Sequence, residues 1–355
     1  MYRLTQTILM GACLATLYAA PASAAITPLS PELQASLDAI RPDPRPKELI
    51  KGTHYVISNE PQQHLFREAI KDSGGIYVGV GAEQNYLLMG WSRPEVAIFV
   101  DFDDVIPRVH HIYASMLRRL DTPQALLTCW NADPKAKDSG ECSYETVVGW
   151  LAEDYEGDLL KGVKNVWKFS RPRIAPHLHE LRDHFTKLKI PCFLNDQETY
   201  TFVAEMVRAR RVRAVRGDFT KRRTMTDIAA FARKACLPIR TLYLSNVDDY
   251  LNYYQAQHRK NMVGLPGDER SLVVQTEPSG GHTYHYLVQP LSVYREWLQC
   301  RCVYAISVIR PHRVPLGDEG LQTVKLIPSQ VDKYKKKAKK NGPAPSFALP
   351  ETCAR

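Results

Sequence analysis

Residues 74–104 read GGIYVGVGAEQNYLLMGWSRPEVAIFVDFDD, and this stretch decides the predicted fold. The apolar, β-rich run from Ile76 to Val80 predicts a strand that is buried on both faces of a parallel sheet. Gly79 and Gly81 then permit a sharp turn and a close approach of the backbone to a ligand. A short helix is predicted over residues 85–91, because a proline soon follows.

The second strand of this unit, predicted over residues 96–100, ends in the carboxylates Asp101 and Asp103. A carboxylate about 20 residues beyond the glycine turn is the spacing at which Rossmann-type folds hold a ribose hydroxyl. Gln84 stands where the dinucleotide-binding fingerprint has its third glycine. The stretch therefore predicts either a nucleotide-like crevice or an ordinary strand-helix-strand unit with a glycine turn.

The first 24 residues differ in composition from the rest of the 355-residue chain. Arg3 precedes an apolar run over residues 8–20, and Ala22-Ser23-Ala24 is a small-residue cleavage site, so residues 1–24 are predicted to be a secretory signal peptide. We therefore expect an exported protein, either periplasmic or secreted. No later stretch is apolar and long enough to predict a transmembrane span.

The positive charge is concentrated near the carboxyl terminus. The formal net charge is +9, and residues 331–355 contribute +5 of it through six lysines and Arg355 against two acids. This tail is predicted to be disordered and is a candidate contact for an anionic surface. Nucleic-acid binding is not expected, because residues 25–330 carry only +3. The arginine-rich region 208–223 could meet an anionic ligand or surface, although a solvated helix end and loop is the interpretation we favour.

Seven cysteines follow the predicted signal peptide. Export makes disulfides possible, and Cys129 and Cys142 flank a polar loop, so they are the first predicted pair. The odd number leaves at least one thiol free or intermolecular. Cys300 and Cys302 lack a second cysteine pair, so a zinc site is not expected, and no metal ligands are predicted.

The remaining pattern predicts one α/β domain over residues 51–330, preceded by an extended arm over residues 25–50. A helical insertion is predicted over about residues 105–195, with separate helices at 105–119, 144–164 and 176–187. The alternation of strands and helices then resumes, which favours a Rossmann-like three-layer sandwich with a mostly parallel sheet. The predicted later elements are strands at 212–216, 239–244, 272–275 and 283–287, the last two a possible antiparallel pair, and helices at 226–236 and 247–258.

Polar residues recur where several predicted strands end. In an open α/β sheet, ligands bind outside the carboxyl ends of the strands. The same residue types can simply cap the helices that follow, and both roles are compatible. The predicted ligand-binding residues are Asn59, Glu60, Gly79, Gly81, Gln84, Asn85, Asp101, Asp218, Ser245, Asn246 and Tyr250.

Four motifs in this order resemble an uncharacterised bacterial family that is related in fold to class I S-adenosylmethionine-dependent methyltransferases. The motifs are Ile57-Ser58-Asn59-Glu60, the segment from Gly75 to Tyr86, Arg93-Pro94 before a strand that ends in Asp101, and the segment from Tyr243 to Leu251. The resemblance covers roughly residues 50–110 and 210–290. The insertion and the tail carry none of it.

The resemblance implies S-adenosylmethionine as a ligand and assigns a role to each strand end. The turn at Gly79 and Gly81 would face the methionine part, Asp101 the ribose hydroxyls and Asp218 the adenine. Ser245 and Asn246 would face the transferred methyl group. The chain has Ser-Asn-Val where amino-methylating enzymes have Asn/Asp-Pro-Pro-Tyr. Two function classes therefore stay open: a methyltransferase-like protein that binds a nucleoside-type ligand, and a non-catalytic exported binding or scaffold protein.

Overall fold

The architecture is built on an eight-stranded sheet with the order β3-β2-β1-β4-β5-β6-β8-β7. It comes from a computed structural model that describes residues 26–135, 142–280, 283–300, 303–317 and 320–325, with Leu349 and Cys353. The strands are β1 Ile76–Gly79, β2 Val96–Asp101, β3 Val212–Arg216, β4 Ile239–Ser245, β5 Leu272–Gly280, β6 Thr283–Pro290, β7 Arg313–Pro315 and β8 Leu321–Val324.

The first five strands of the sheet are parallel, and β1 lies in their middle. Ile76 pairs with Val96 of β2 on one side and with Ile239 of β4 on the other. Every residue of β1 is buried, which explains why the strand reads as an unbroken apolar run. The prediction of a central first strand with a parallel neighbour is confirmed. The strand order reverses between β1 and β4, and in such sheets that switch point opens a crevice.

The carboxyl-terminal strands depart from the parallel arrangement. β6 runs antiparallel to β5, β8 runs parallel to β6, and β7 runs antiparallel to β8. The predicted antiparallel pair is confirmed, but both strands are longer than predicted because the pairing continues to Gly280 on β5 and to Pro290 on β6. The fold is thus α/β with a mostly parallel sheet, and it is compatible with a Rossmann-like sandwich.

Helices flank the sheet, and five of them lie between β2 and β3, where the sequence predicts a helical insertion. The helices are α1 Pro31–Asp38, α2 Arg67–Ile70, α3 Gln84–Ser92, α4 Val105–Arg119, α5 Pro123–Trp130, α6 Tyr144–Asp154, α7 Gly157–Lys187, α8 Gln197–Arg208, α9 Thr224–Lys234, α10 Ala256–Val263, α11 Leu291–Gln299 and α12 Ile306–Ile309. No helix among the described residues has the length and apolar character that a membrane crossing requires.

Three helix predictions are wrong. The helix predicted over 144–164 is divided between α6 and the first part of α7. The separate helix predicted over 176–187 is the last part of α7, whose buried face continues past the internal prolines Pro172 and Pro176. The helix predicted over 247–258 is a short 3₁₀ turn followed by α10. The chain breaks there because the Asp248 side chain turns inward, where it accepts hydrogen bonds from Tyr254 Oη and Gln275 Nε2.

The extended arm predicted over residues 25–50 is also corrected, because it contains α1. Ser30 caps this helix, and Leu37 packs into the core from it. Asp43, which is 1% exposed, follows the helix and accepts hydrogen bonds from the backbone N–H groups of Asp218 and Arg223. The amino-terminal segment therefore braces the loop after β3.

Two disulfides cross-link the described residues. The predicted pair Cys129–Cys142 is confirmed, and Cys236–Cys353 is a second bond that was not predicted. Cys192 is a buried free thiol. The second bond ties Cys353 to the body of the protein, which corrects the prediction of a disordered tail at that residue. The signal-peptide prediction and most of the tail prediction lie outside the described residues.

The basic region 208–223 divides into two parts. Arg208, Arg210 and Arg216 form ion pairs with carboxylates of the same chain. The residues at 221–223 are exposed, which agrees with the favoured interpretation of a solvated loop. Most of this basic cluster thus braces the edge strand β3 and the amino-terminal segment.

Candidate functional site

A cavity of about 340 Å³ lies at the carboxyl ends of β1, β2, β3 and β4. Its volume falls within the range of small-molecule sites, roughly 300–1,000 Å³. We call the lining residues that directly follow the four strands the cavity floor; they lie within residues 80–84, 101–103, 217–220 and 245–247. Nine of the eleven predicted residues line the cavity: Asn59, Glu60, Gly81, Gln84, Asp101, Asp218, Ser245, Asn246 and Tyr250.

Gly79 and Asn85 do not line the cavity, and their predicted contact with a ligand is corrected. Asn85 is fully buried behind the turn, where its Nδ2 donates to the carbonyl groups of Val80 and Gly81. A Cβ atom at Gly79 would lie 2.2 Å from Asn85 Oδ1. Gly79 and Asn85 therefore fix the shape of the turn from its buried side and do not face the cavity.

Gly81 adopts a φ of +86°, a conformation that glycine reaches without a steric penalty. Its carbonyl oxygen lies 2.8 Å from Nε2 of the buried His110. Burial lowers the pKa of His110 to about 3, so the imidazole is neutral. Nε2 must carry the single ring proton to donate to Gly81, which leaves Nδ1 to accept from Tyr86 Oη.

Asp101 points toward this turn, as a ribose-binding role requires. Its Oδ2 accepts from the N–H group of Gly81 at 3.2 Å, and its Oδ1 accepts from the N–H group of Asp103 at 2.9 Å. Burial raises the pKa of Asp101 to about 7 despite these two donors. A carboxylate offers about four lone-pair sites, so two remain for a ligand.

Two further floor residues retain acceptor capacity. Asp218 accepts from the backbone N–H and the hydroxyl group of Thr220 through one oxygen, Oδ1. Gln84 is 5% exposed, and its Oε1 has no hydrogen-bond partner among the described residues. A buried acceptor without a donor is costly, by roughly 1–3 kcal/mol, so a ligand that donates to Gln84 would recover that free energy.

The titratable side chains that line the cavity are mainly acidic. Glu60, Asp101, Asp103 and Asp218 line it, and the described lining residues include no lysine, arginine or histidine. Phosphate-binding sites instead use basic side chains or free backbone N–H groups. The described lining is therefore acidic and rich in hydrogen-bond acceptors. No group of three or more His, Cys, Asp and Glu residues in the described parts of the chain is arranged to hold a metal ion.

Residues 53–60 cover the floor, and we call them the roof segment. Glu60 is its innermost anchor, where the carboxylate accepts from the hydroxyl groups of Tyr243, Ser245 and Thr276. Burial raises the pKa of Glu60 in spite of these donors. Ser245 has a φ of +49°, a left-handed conformation that stores strain in a residue with a side chain.

Other contacts hold the outer part of the roof segment. His54 Nδ1 lies 2.7 Å from Asp103 Oδ2, and the Ser58 N–H group donates to Glu83 Oε1 at 2.9 Å. His177 of α7 lies 2.7 Å from the same Glu83 oxygen. Burial alone would lower the pKa of His177, but the hydrogen bond and charge of Glu83 outweigh it and raise the pKa.

Sequence reasoning missed several lining residues, most of them apolar or aromatic. Asp103 could have been predicted from the sequence, because it lies just beyond the end of the strand predicted over residues 96–100. The others lie in loops, where periodicity gives no information about which side chains face a cavity. The missed lining residues include Thr53, Tyr55, Ile57, Phe102, Asp103, Phe219, Thr220 and Gln255.

Comparison with known proteins gives a family but no activity. A family model described as a domain of unknown function (DUF7790) matches residues 55–322, which include residues 55–60 of the roof segment, the whole cavity floor and seven complete strands. A search of curated proteins found no match. Because the family model covers well over half of the chain, the protein belongs to the family described as Domain of unknown function (DUF7790).

Proposed function

We propose that the cavity binds a positively charged, nucleoside-type ligand, with S-adenosylmethionine as the specific candidate and methyl transfer as the reaction. The observation that carries this proposal is the composition of the cavity. It lies beside the switch point of a parallel sheet, and its described lining offers carboxylates and amide oxygens without a basic side chain. A dinucleotide or a nucleoside triphosphate would bring phosphates against an acidic lining in which no described basic side chain offsets their charge, which disfavours binding.

The residues present fit such a ligand by the chemistry of their free acceptors. Asp101 has lone pairs left for ribose hydroxyl groups, and Asp218 Oδ2 is available to an exocyclic amine. The unpartnered Oε1 of Gln84 would accept from an ammonium group. When bound, S-adenosylmethionine supplies an electrophilic methyl group. The contribution of the chain is to orient the ligand and to shield it under the roof segment.

A second candidate is a non-catalytic exported protein that uses the cavity for binding or the fold as a scaffold. Ser245-Asn246-Val247 at the end of β4 favours it, because an amino-methylating motif is missing there. The disulfides Cys129–Cys142 and Cys236–Cys353 support export, since such bonds persist in oxidising compartments.

Calorimetric titration of the disulfide-bonded chain separates the two candidates. The ligands are S-adenosylmethionine, S-adenosylhomocysteine, adenosine and ATP. We expect the first two to bind more tightly than about 1 mM, which corresponds to roughly 4 kcal/mol, and ATP to bind more weakly. Silence across the panel would favour the scaffold, and ATP as the tightest ligand would contradict the charge argument.

Asp101→Ala tests the orientation of the ligand. We expect it to weaken S-adenosylhomocysteine binding by about 1.5–3 kcal/mol, the range for hydrogen bonds to charged groups. It should also lower stability, because the N–H groups of Gly81 and Asp103 lose their acceptor. Asp121→Ala is the matched control, since its carboxylate is 83% exposed and remote from the lining residues. Equal affinities in both variants would contradict the assignment.

A further inference from the structure

We propose a second subsite at the mouth of the cavity, formed around the rings of Tyr55 and Tyr250, that binds an organic ammonium group. The inference rests on the proposed function only for its role, because the amine would be the acceptor of the methyl group. The binding itself is a property of the chain that is measurable without a nucleoside.

Two half-exposed tyrosines mark this subsite. Tyr55 is 39% exposed and Tyr250 is 40% exposed, and both line the cavity. Large aromatic rings contribute most to stability when they are buried, so two of them kept open around one cavity suit a ligand that covers them. Tyr253 is 59% exposed in the same loop but does not line the cavity, which makes it a useful comparison.

Asparagines of the cavity lining contact the hydroxyl groups of Tyr250 and of the nearby Tyr284. Asn246 Nδ2 donates to Tyr250 Oη at 3.5 Å, and Asn59 Nδ2 donates to Tyr284 Oη at 2.5 Å. Burial and the nearby Glu60, Tyr250 and Tyr55 raise the pKa of Tyr284, so these four groups share one electrostatic environment. Burial also raises the pKa of Tyr250, so the hydroxyl groups of Tyr250 and Tyr284 stay neutral near pH 7 and their ring faces remain electron-rich.

The charge of the ligand follows from the surfaces that it would meet. The face of a tyrosine ring attracts a cation, by roughly 0.5–2 kcal/mol depending on desolvation. Asp103 and Asp218 add acidic side chains to the cavity lining, and the described lining residues include no positive side chain. An ammonium group gains from both features, whereas a carboxylate would be repelled by the acids and gain nothing from the rings.

The test titrates three probes of similar shape into the disulfide-bonded chain: benzylamine, benzyl alcohol and benzoate. We expect benzylamine to bind best and benzoate worst. Tyr250→Ala should weaken benzylamine about 3- to 30-fold, the equivalent of the cation–ring attraction, while Tyr250→Phe keeps the affinity. Tyr253→Ala is the control and should leave it unchanged. A thermal melt of each variant checks that it is folded.

Two results would overturn the subsite: benzyl alcohol binding as tightly as benzylamine, or equal losses in Tyr250→Ala and Tyr253→Ala. Repeating the titration with S-adenosylhomocysteine in excess separates this inference from the proposed function. The expected order of the three probes without any nucleoside binding would uphold the subsite and reject the proposed function. Nucleoside binding without a preference for benzylamine would reject the subsite and uphold the proposed function.

Discussion

The floor and the roof segment bound the same cavity but are built in different ways. The floor consists of residues that directly follow strands, and its key contact, from Gly81 to Asp101, spans only 20 residues of sequence. The roof segment is held by contacts that reach much further, such as Asn59 to Tyr284 over 225 residues. The topology of the sheet thus sets the position of the floor, whereas single side-chain contacts set that of the roof.

The largest expected effect is loss of the innermost roof anchor. Glu60→Ala leaves the hydroxyl groups of Tyr243, Ser245 and Thr276 without their acceptor. We expect the free energy of unfolding to fall by about 3 kcal/mol, as for buried polar groups that lose their partners. Urea unfolding measures it. Glu60→Gln keeps the size of the side chain and one acceptor oxygen, so it should lower the free energy of unfolding by less than half as much. A Glu60→Ala protein as stable as the wild type would show that the anchor is dispensable.

The pH dependence sharpens this prediction. Burial raises the pKa of Glu60 above its ordinary value of 4.5, so the folded state holds the proton more tightly than the unfolded state. The stability from this carboxyl group is complete below about pH 4.5 and is lost as the pH rises through the folded pKa. The stability of the wild type relative to Glu60→Gln should therefore decline with rising pH, and an advantage that grows with pH would contradict the assignment.

A smaller effect is expected at His177, which contacts the same Glu83 oxygen as the Ser58 N–H group of the roof segment. His177→Ala removes a partner of the buried Glu83 and should cost about 2 kcal/mol. The pair raises the pKa of His177, so its contribution is complete below the unfolded pKa of 6.5 and is lost as the pH rises through the folded value. Urea unfolding should thus show a larger loss near pH 6 than near pH 9.

His179→Ala is the control for this pair because it lies on the same helix. Its pKa is lowered by burial and by Arg182, so a charged His179 does not stabilise the fold. His179→Ala should lower the free energy of unfolding by less than His177→Ala does, and its loss should not be larger near pH 6 than near pH 9. If both histidine variants respond to pH in the same way, the Glu83 contact is not the cause.

The smallest effect concerns the floor and is seen in binding. The pKa of Asp101 is about 7, and a ribose hydroxyl group donates to its ionised form. The affinity for S-adenosylhomocysteine should therefore rise about tenfold between pH 6 and pH 8, as the competent fraction of Asp101 grows. Asp101→Asn should abolish this dependence. An affinity that falls as the pH rises would contradict the role of Asp101.

The comparison also explains how much the sequence could predict. Strand ends are local features, so β-rich runs followed by polar residues located Gly81, Asp101, Asp218 and Ser245 in one cavity. Asn85 has the same polar character, but only the folded structure shows that its Nδ2 donates to backbone carbonyl groups of the turn. The local sequence pattern also could not show that both carboxylate oxygens of Asp101 already accept hydrogen bonds from backbone N–H groups.

The roof was predicted only where a motif carried it, at Asn59 and Glu60. The contact between Glu83 and His177, which supports the roof segment through Ser58, depends on how α7 packs and joins residues 94 apart in the sequence. The continuity of α7 was missed for a related reason, because prolines signal a helix end locally, while burial of its apolar face outweighs them.

The measurement that tests the account most directly is a crystal structure of the disulfide-bonded protein grown with S-adenosylhomocysteine. The account predicts that the ligand lies in the cavity beneath residues 53–60, with its ribose hydroxyl groups donating to Asp101 and its ammonium group close to Gln84. A ligand bound elsewhere on the protein, or a nucleoside in the cavity with its ribose turned away from Asp101, would contradict it.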